Sequence, residues 1–201
     1  MKKNIVLYVA LLLSLCACEP NGADNRLPEE IVPLSDNAGD AVDLGLSVLW
    51  ADRNLEGHYA WGEVETKSYY SEDNYHAPFE ITAKSYNNIS GSKYDAARMN
   101  WGGKWRMPTY KEFVEFSSKC TFVWNGHGYN VTGPNGNTMT LPTSDNYMQI
   151  EDVKYWTASV DQGEWMAPLY WTVWSVITPR PGSICPGFGY LASCIRPVRN
   201  K

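Results

Sequence analysis

The chain has 201 residues, of which 44% are hydrophobic, 19% charged and 13% aromatic. This apolar content excludes a disordered protein, and the length predicts one core domain plus a tail. The formal charge of −5, from 17 basic and 22 acidic residues, gives no electrostatic support to a nucleic-acid-binding surface. Nine Trp and thirteen Tyr must form either core or contact surface.

The N-terminus has the features of a bacterial export signal. Two lysines precede an apolar stretch, Ile5 to Leu15, that is too short to span a bilayer as a helix. The run Leu-Cys-Ala-Cys that follows resembles a bacterial lipobox, with Leu three positions before the modified cysteine and a small residue directly before it. The resemblance implies that residues 1–17 are a signal peptide and that acylated Cys18 holds the protein at a lipid membrane.

Two alternatives remain open at this end of the chain. Cys16 is the weaker lipidation site, because the bulky Leu15 would then occupy the small position before the cleavage point. Ordinary secretion with cleavage nearby is the other alternative.

Residues 18–41 are predicted to form a flexible acidic tether. Seven acidic residues and one basic residue lie between Glu19 and Asp43, so this stretch carries −6 and the rest of the mature chain about −1. Its prolines and glycines and its lack of apolar periodicity are typical of a linker. An acidic stretch after the lipidated cysteine resembles the signal that sends Bacteroidetes lipoproteins to the outer face of the outer membrane. The alternative is a solvated linker that carries no localisation signal.

Residues 42–201 are predicted to form one folded domain, and its first helical signal runs from Ser92 to Met99. Ser92 stands three residues before Asp95, which is a helix-starting spacing. Asn100, with Gly102 and Gly103 just beyond it, is the expected end of the helix.

The second helical signal is a capping box. The hydroxyl of Thr109 can accept the backbone N–H of Glu112, whose carboxylate reaches back to the start of the helix. Apolar residues then follow at helical spacing, which predicts about three turns with one buried face. These residues are Tyr110, Phe113, Val114 and Phe116.

The clearest β signal is a hairpin in YNVTGPNGNTMTL. Asn135 and Gly136 suit a two-residue type I′ turn, in which both residues have positive φ. The flanking residues alternate, so one face is predicted to carry the apolar side chains Tyr129, Val131, Met139 and Leu141.

Further strands are predicted from short apolar runs between turn residues. They are Leu46 to Ala51, Tyr155 to Ser159, Leu169 to Val176, Phe188 to Leu191 and Cys194 to Val198. The run from Leu169 is apolar on both faces, which indicates a central strand. Two short helices with many irregular strands predict an α+β domain with an antiparallel sheet.

Six blocks in order resemble a known family. They are AVDLGLSVLWADRNL, YAWGE, DAARMNWGGKWRMPTYKEF, GYNVTGPNGNTMTLPTS, YWTAS and IRPV. Together they are similar to the Fibrobacter succinogenes major paralogous domain, over about Val42 to Val198. That family is similar in turn to the C-type-lectin-like fold of sulfatase-modifying (formylglycine-generating) factors. The resemblance implies a lectin-like fold and a surface lipoprotein of the gut Bacteroidetes kind.

Two arginines in these blocks are predicted to have structural roles. Arg106 can reach over an aromatic face or pair with a carboxylate. Arg196, two residues before Val198, is expected to form an internal ion pair.

Three cysteines remain in the mature domain, and one disulfide is expected in an exported protein. Cys185 and Cys194 flank a segment short enough for a hairpin, which makes them the candidate pair. The lectin-like resemblance implies the rival pair, Cys120 with Cys194. Formylglycine-generating factors use a cysteine pair with copper, and the region of Cys185 departs from that pattern.

Common catalytic signatures are absent from the sequence: it has no strand-linked GxSxG, HExxH, CxxC pair, P-loop or GxGxxG. His58, His76 and His127 have no ligand spacing and are predicted to be solvated loop residues. Calcium could bind the oxygens of Asn135, Asn137, Asp145 and Asn146, but turn formation is the better interpretation of these residues. No catalytic residue, metal site or cofactor is therefore predicted.

The leading hypothesis is a non-catalytic surface lipoprotein whose aromatic-rich domain contacts a glycan or a surface protein. Aromatic faces stack on the apolar faces of sugar rings. The candidate ligand-binding residues are Trp165, Tyr170 and Trp174, with core packing as the alternative for each. A formylglycine-generating-type enzyme and a structural part of a fimbrial or surface assembly are the other hypotheses.

Overall fold

The computed structural model describes residues 32–76, 88–142, 152–160, 170–177 and 180–201. The predicted signal peptide, with Cys16 and Cys18, lies outside these ranges, as do Trp165, Asp145 and Asn146. For the strands Tyr170–Ile177 and Arg180–Phe188, the structure describes the backbone pairing. Among the described residues, no helix is long and apolar enough to cross a membrane.

Short helices and three small antiparallel sheets make up the described chain, which confirms the predicted α+β class. The helices are α1 (Ala96–Trp101) and α2 (Tyr110–Lys119), with a 3₁₀ turn at Glu72–Asn74. The first sheet is β1 (Ala41–Val42), β2 (Val48–Ala51) and β9 (Val198–Asn200). The second is β3 (Thr121–Trp124), β4 (Gly128–Thr132) and β5 (Thr138–Pro142). The third is β6 (Asp152–Val160), β7 (Tyr170–Ile177) and β8 (Arg180–Phe188).

Helix α2 begins with the predicted capping box, but its buried face is narrower than expected. The hydroxyl of Thr109 accepts the N–H of Glu112, whose carboxylate accepts the N–H of Thr109. Phe113 and Phe116 are buried, whereas Tyr110 is 44% exposed and Val114 is also exposed. At 3.6 residues per turn, Tyr110 and Val114 lie about 90° and 130° round the helix from the buried pair. They therefore face away from the core.

Helix α1 is shorter than predicted and is shifted toward the C-terminus. Its N-cap is Asp95 rather than Ser92, whose hydroxyl instead accepts the nearby N–H of Tyr94. A short hydroxyl that bonds its local backbone in this way favours a turn over a helix. The helix ends at Trp101, and Gly102 takes a positive φ of 64° directly after it.

The predicted hairpin is found, with the predicted buried face but with a different turn. The four apolar residues of its inner face are all buried. The turn has three residues, because Gly133 N–H donates to the carbonyl of Asn137 at 2.9 Å and closes the ladder. A two-residue turn would need Pro134 to donate there, and proline has no N–H. Gly136, with φ 86°, supplies the left-handed residue that such loops use.

The predicted strands differ from the observed ones mainly at their ends. The run from Leu46 becomes a strand only at Val48, and the Tyr155 to Ser159 prediction lies inside β6. The predicted strand Phe188 to Leu191 is wrong, because Leu191 N–H donates back to the carbonyl of Phe188 and forms a turn. The closing strand starts at Val198 rather than Cys194. Strand β7 pairs with β6 on one side and β8 on the other, as predicted for a central strand.

The folded part begins earlier than the predicted boundary at residue 42. The chain divides into Met1–Glu30 and Ile31–Lys201, and residues 32–41 of the predicted tether pack on the domain. Gly103 N–H donates to the carbonyl of Val32, and Ser35 N–H donates to the carbonyl of Trp101. A Cβ at Gly102 would overlap the backbone of Pro33. Glycine at this position therefore lets the N-terminal segment approach α1 closely.

Most of the Trp excess is core. Trp50 is fully buried and stacks on Phe116 with ring centroids 4.3 Å apart, at the centre of one apolar cluster. Four further tryptophans lie in a second cluster around the carboxyl end of β6: Trp61, Trp101, Trp105 and Trp156. Trp124 is the exposed one of the six whose side chains are described. A count of Trp therefore overstates the aromatic surface that is open for binding.

Candidate functional site

Apolar and aromatic side chains are concentrated on the surface where β8 ends, in the segment Phe188–Leu191, which we call the aromatic turn. Phe188 is 38% exposed and Leu191 43% exposed. Phe188 stacks on Tyr190, with ring centroids 5.4 Å apart and planes 26° apart. Leu191 N–H donates to the carbonyl of Phe188 at 3.0 Å, which brings the two exposed side chains to the ends of one β-turn.

The aromatic turn is fixed to the body of the domain by backbone hydrogen bonds. Trp61 N–H donates to the carbonyl of Gly189 at 2.8 Å, in the middle of the turn. Just beyond it, Tyr59 and Ser193 exchange two backbone hydrogen bonds, of 3.1 and 3.0 Å. Bonds at the middle of the turn and just after it hold its backbone in place before any ligand arrives, and this reduces the entropy lost on binding.

Two buried indoles hold this anchoring segment against β6. The indole N–H of Trp61 donates to the carbonyl of Thr157 at 2.9 Å. The indole N–H of Trp156 donates to the carbonyl of Tyr59 at 2.6 Å. Both rings are fully buried. The position of the aromatic turn therefore depends on the second apolar cluster.

The topology of the third sheet brings further aromatic residues to the same end. Tyr170 is the register partner of Phe188, and Val160, the last residue of β6, pairs with Trp171. Residues 161–169, with Trp165, connect these strand ends and lie outside the described residues. On the β6 side, Tyr110 N–H donates to the hydroxyl of Ser159 at 3.0 Å, so an exposed tyrosine of α2 lies at this end too.

Trp174 does not belong to this end of the sheet. It lies in the middle of β7, where its register partners are Tyr155 and Ile184. Tyr155 is fully buried in the first apolar cluster. Of the three predicted binding residues, the fold places Tyr170 beside the aromatic turn and Trp174 away from it, and Trp165 is not described.

Among the described residues, the exposed side chains of β3 do not form a comparable group. Val123 and Trp124 are neighbours on β3, but successive residues of a strand point to opposite faces. Trp124 lies edge-on to Tyr129, with centroids 5.1 Å apart. The sequence signal for the aromatic turn is FGYL, in which a glycine separates two aromatic residues in a run without charge. That signal favours an exposed turn over the strand that we predicted there.

No family model, curated protein or solved structure matches this chain. The aromatic turn is thus the strongest indication of function in the described residues.

A buried carboxylate lies beneath the second cluster and fixes two loops. Asp95 is fully buried and accepts backbone N–H groups from Gly91 at 2.7 Å, Met107 at 2.8 Å and Arg98 at 3.0 Å. Burial raises the pKa of Asp95 to about 6, against the lowering effect of these hydrogen bonds. The hydrogen bonds described for this carboxylate all come from backbone N–H groups, so its role is to hold the loops around α1.

The two predicted arginines differ in their partners. Arg106 pairs with the carboxylate of Glu112 through both terminal nitrogens, at 2.9 and 2.6 Å. Burial alone would raise the pKa of Glu112, but the hydrogen bonds from Arg106 and Thr109 outweigh it and lower that pKa. Arg106 therefore takes the carboxylate option that we predicted.

Arg196 is fully buried, and the predicted ion pair is not found among the described residues. Its terminal nitrogens donate to the backbone carbonyls of Ala51, at 3.1 Å, and Thr140, at 2.9 Å. Burial lowers the pKa of this guanidinium. Carbonyl oxygens replace the carboxylate because the fold turns two backbone segments toward the side chain. Arg196 thereby connects β2, β5 and the closing segment.

The cysteines are only partly described. Cys120 and Cys194 are not bonded to each other, so the rival disulfide is absent. Burial and the charge of Glu115 raise the pKa of Cys120 to about 11, which makes its thiol a poor nucleophile. Cys194 is buried in the first cluster, and Cys185 lies on β8 opposite Val173. The Cys185–Cys194 disulfide stays a prediction.

The residues considered for metal binding form no cluster in the described part of the chain. There, no group of three His, Cys, Asp or Glu side chains could hold a metal ion. The amide nitrogens of Asn135 and Asn137 both donate to the carbonyl of Asp43, at 2.7 Å. These contacts hold the hairpin turn against the start of the domain, which agrees with turn formation.

Proposed function

We propose that the protein is a non-catalytic outer-membrane lipoprotein, with a C-type-lectin-like domain of the Fibrobacter succinogenes major paralogous kind that binds carbohydrate at the aromatic turn. The single observation that carries the binding proposal is the exposed ring of Phe188, which stacks on the partly buried ring of Tyr190 and lies beside the exposed Leu191 in an anchored turn. An aromatic face that is held in place and open to solvent is the surface on which the apolar face of a pyranose packs.

Polar groups near the aromatic turn favour a carbohydrate ligand over a purely apolar protein surface. The backbone of Tyr170 is in register with Phe188, and the exposed Tyr110 lies at the same end of the sheet, where its phenol group is available to bond sugar hydroxyls. Exposed apolar groups that lie next to one another, as Phe188 and Leu191 do here, can mark a contact surface.

Binding is tested with the purified full-length chain in detergent micelles on a glycan array. We expect at least one glycan to bind, and we expect Phe188→Ala to weaken that binding at least tenfold because it removes the stacking face. Val123→Ala is the matched control, since it truncates an exposed apolar residue of β3, and it should bind like the natural chain. Absence of any binding glycan, or equal loss in both variants, would contradict the proposal.

The anchor is tested separately by acylation. We expect the natural chain to incorporate a labelled fatty acid in cells and to sediment with outer membranes, and Cys18→Ser to lose both properties. Cys16→Ser should keep both, because the lipobox places the acylated residue at Cys18. Labelling that survives Cys18→Ser would contradict the assignment.

A further inference from the structure

The backbone pairing of the third sheet determines how far Cys185 lies from Cys194. Cys185, on β8, is the register partner of Val173 on β7. Val173 is in turn the register partner of Trp156 on β6. The whole width of β7 therefore separates Cys185 from β6.

Cys194 lies on the far side of β6 from β7. Its N–H donates to the carbonyl of Lys154 at 3.1 Å, and its carbonyl accepts the N–H of Trp156 at 3.0 Å, which places it beside Tyr155 in a parallel bridge. Each edge of a strand accommodates one neighbour, and β7 pairs with β6 at these same residues. The order across the sheet is thus the segment of Cys194, then β6, β7 and β8.

This order puts the two cysteines too far apart for a disulfide. Neighbouring strands are about 4.8 Å apart, so three steps across the sheet amount to about 14 Å. A disulfide joins residues whose Cα atoms are no more than about 7 Å apart. Cys185 is level with Trp156 and Cys194 with Tyr155, so the two would meet only if β6 and β7 separated.

The short distance in sequence is misleading because the connection is not a hairpin. The aromatic turn follows Cys185 on β8, and the chain then bonds to Tyr59 through Ser193 before it reaches the outer edge of β6. It leads from one edge of the sheet to the other instead of folding back on β8.

We infer that Cys185 and Cys194 do not form a disulfide and that the fold does not depend on oxidation. Cys194 fills a place in the first apolar cluster, where a cysteine packs as a small hydrophobic residue. Cys120, the rival partner, carries a free thiol. The formylglycine-generating type of chemistry needs two cysteines in contact, and the candidate pair does not provide them. The inference is independent of the carbohydrate proposal.

The test locates thiols in the full-length chain, purified from membranes without reductant. The chain is unfolded in urea with N-ethylmaleimide, which labels thiols but not disulfides, and the labelled peptides are identified by mass spectrometry. We expect label on Cys120, Cys185 and Cys194. Cys185→Ser should leave the labelling of Cys194 unchanged, whereas a disulfide between them would make Cys194 labelled only in that variant. Cys120→Ser is the control that loses its own label alone.

Two results would overturn the inference. One is a peptide that joins Cys185 to Cys194, or label on Cys194 that appears only in Cys185→Ser. The other is a urea midpoint of the natural chain that falls when dithiothreitol is added, because we expect the two midpoints to coincide. Neither measurement involves a glycan, so failure of this inference and failure of the carbohydrate proposal are told apart.

Discussion

Replacing Asp95 by Ala is expected to lower the free energy of unfolding by about 4 kcal/mol. The carboxylate is the N-cap of α1 and accepts N–H groups from both neighbouring loops. Removal of the carboxylate leaves at least three N–H groups without a partner in a site that water does not reach. Each buried unpaired group costs about 1–3 kcal/mol, and one of the three is the cap bond from Arg98, so about 4 kcal/mol lies toward the lower end of the summed cost. Urea unfolding followed by Trp fluorescence measures the change.

Asp36→Ala is the matched control for this prediction. Asp36 is an exposed carboxylate near the start of the described chain, and its removal should change the free energy of unfolding by less than about 0.5 kcal/mol. A cost for Asp95→Ala no larger than that of Asp36→Ala would show that the loops around α1 do not depend on the buried carboxylate.

The same residue predicts the sign of a pH dependence. The pKa of Asp95 is raised from 3.8 to about 6, so its stabilising contribution is complete below pH 3.8 and is lost as the pH rises through 6. Asn at this position does not titrate. The stability of the natural chain relative to Asp95→Asn should therefore fall by on the order of 3 kcal/mol between pH 3.5 and pH 7, at 1.36 kcal/mol per pKa unit.

The lowered pKa of Glu112 acts in the opposite direction, since its contribution is lost as the pH falls. It is present in both chains and cancels in their difference. A difference that rises with pH, or stays constant across this range, would mean that the Asp95 carboxylate is not penalised by burial.

Local signals predicted the parts of the fold in which the chain determines its own structure. The capping box of Thr109 and Glu112 and the alternation of the hairpin residues involve contacts within a few residues, and both were found where the sequence places them. The prediction of a two-residue turn was wrong because the Asn-Gly pattern was followed although Pro134 has no N–H to close such a turn. These errors concern local chemistry that was visible in the sequence.

The candidate site could not be predicted in the same way, because tertiary contacts determine it. Gly189 becomes the middle of an anchored turn only when Trp61, far away in sequence, donates to its carbonyl. The packing of residues 32–41 likewise depends on the close approach that Gly102 allows. Tyr170 was selected for its aromatic ring alone, and strand pairing then placed it opposite Phe188.

Replacing Trp61 by Ala is expected to lower the free energy of unfolding by about 4 kcal/mol and to weaken glycan binding. The ring is fully buried, and large-to-small changes of a core Trp cost about 3–5 kcal/mol. The change also removes the indole N–H that donates to the carbonyl of Thr157. This bond holds in place the residue whose backbone N–H donates to Gly189. Unfolding in urea and glycan binding at a temperature where the variant stays folded measure the two effects.

A matched pair of smaller changes separates cavity from hydrogen bond. Trp50 and Trp61 are both fully buried, but the indole N–H of Trp50 has no hydrogen-bond partner among the described residues. Trp61→Phe should therefore cost about 1–2 kcal/mol more than Trp50→Phe, because it alone leaves a buried carbonyl unpaired. Trp50→Phe should also leave glycan binding unchanged, since its ring lies in the other cluster. Equal effects of the two variants on both measurements would show that the indole bond of Trp61 does not hold the aromatic turn in place.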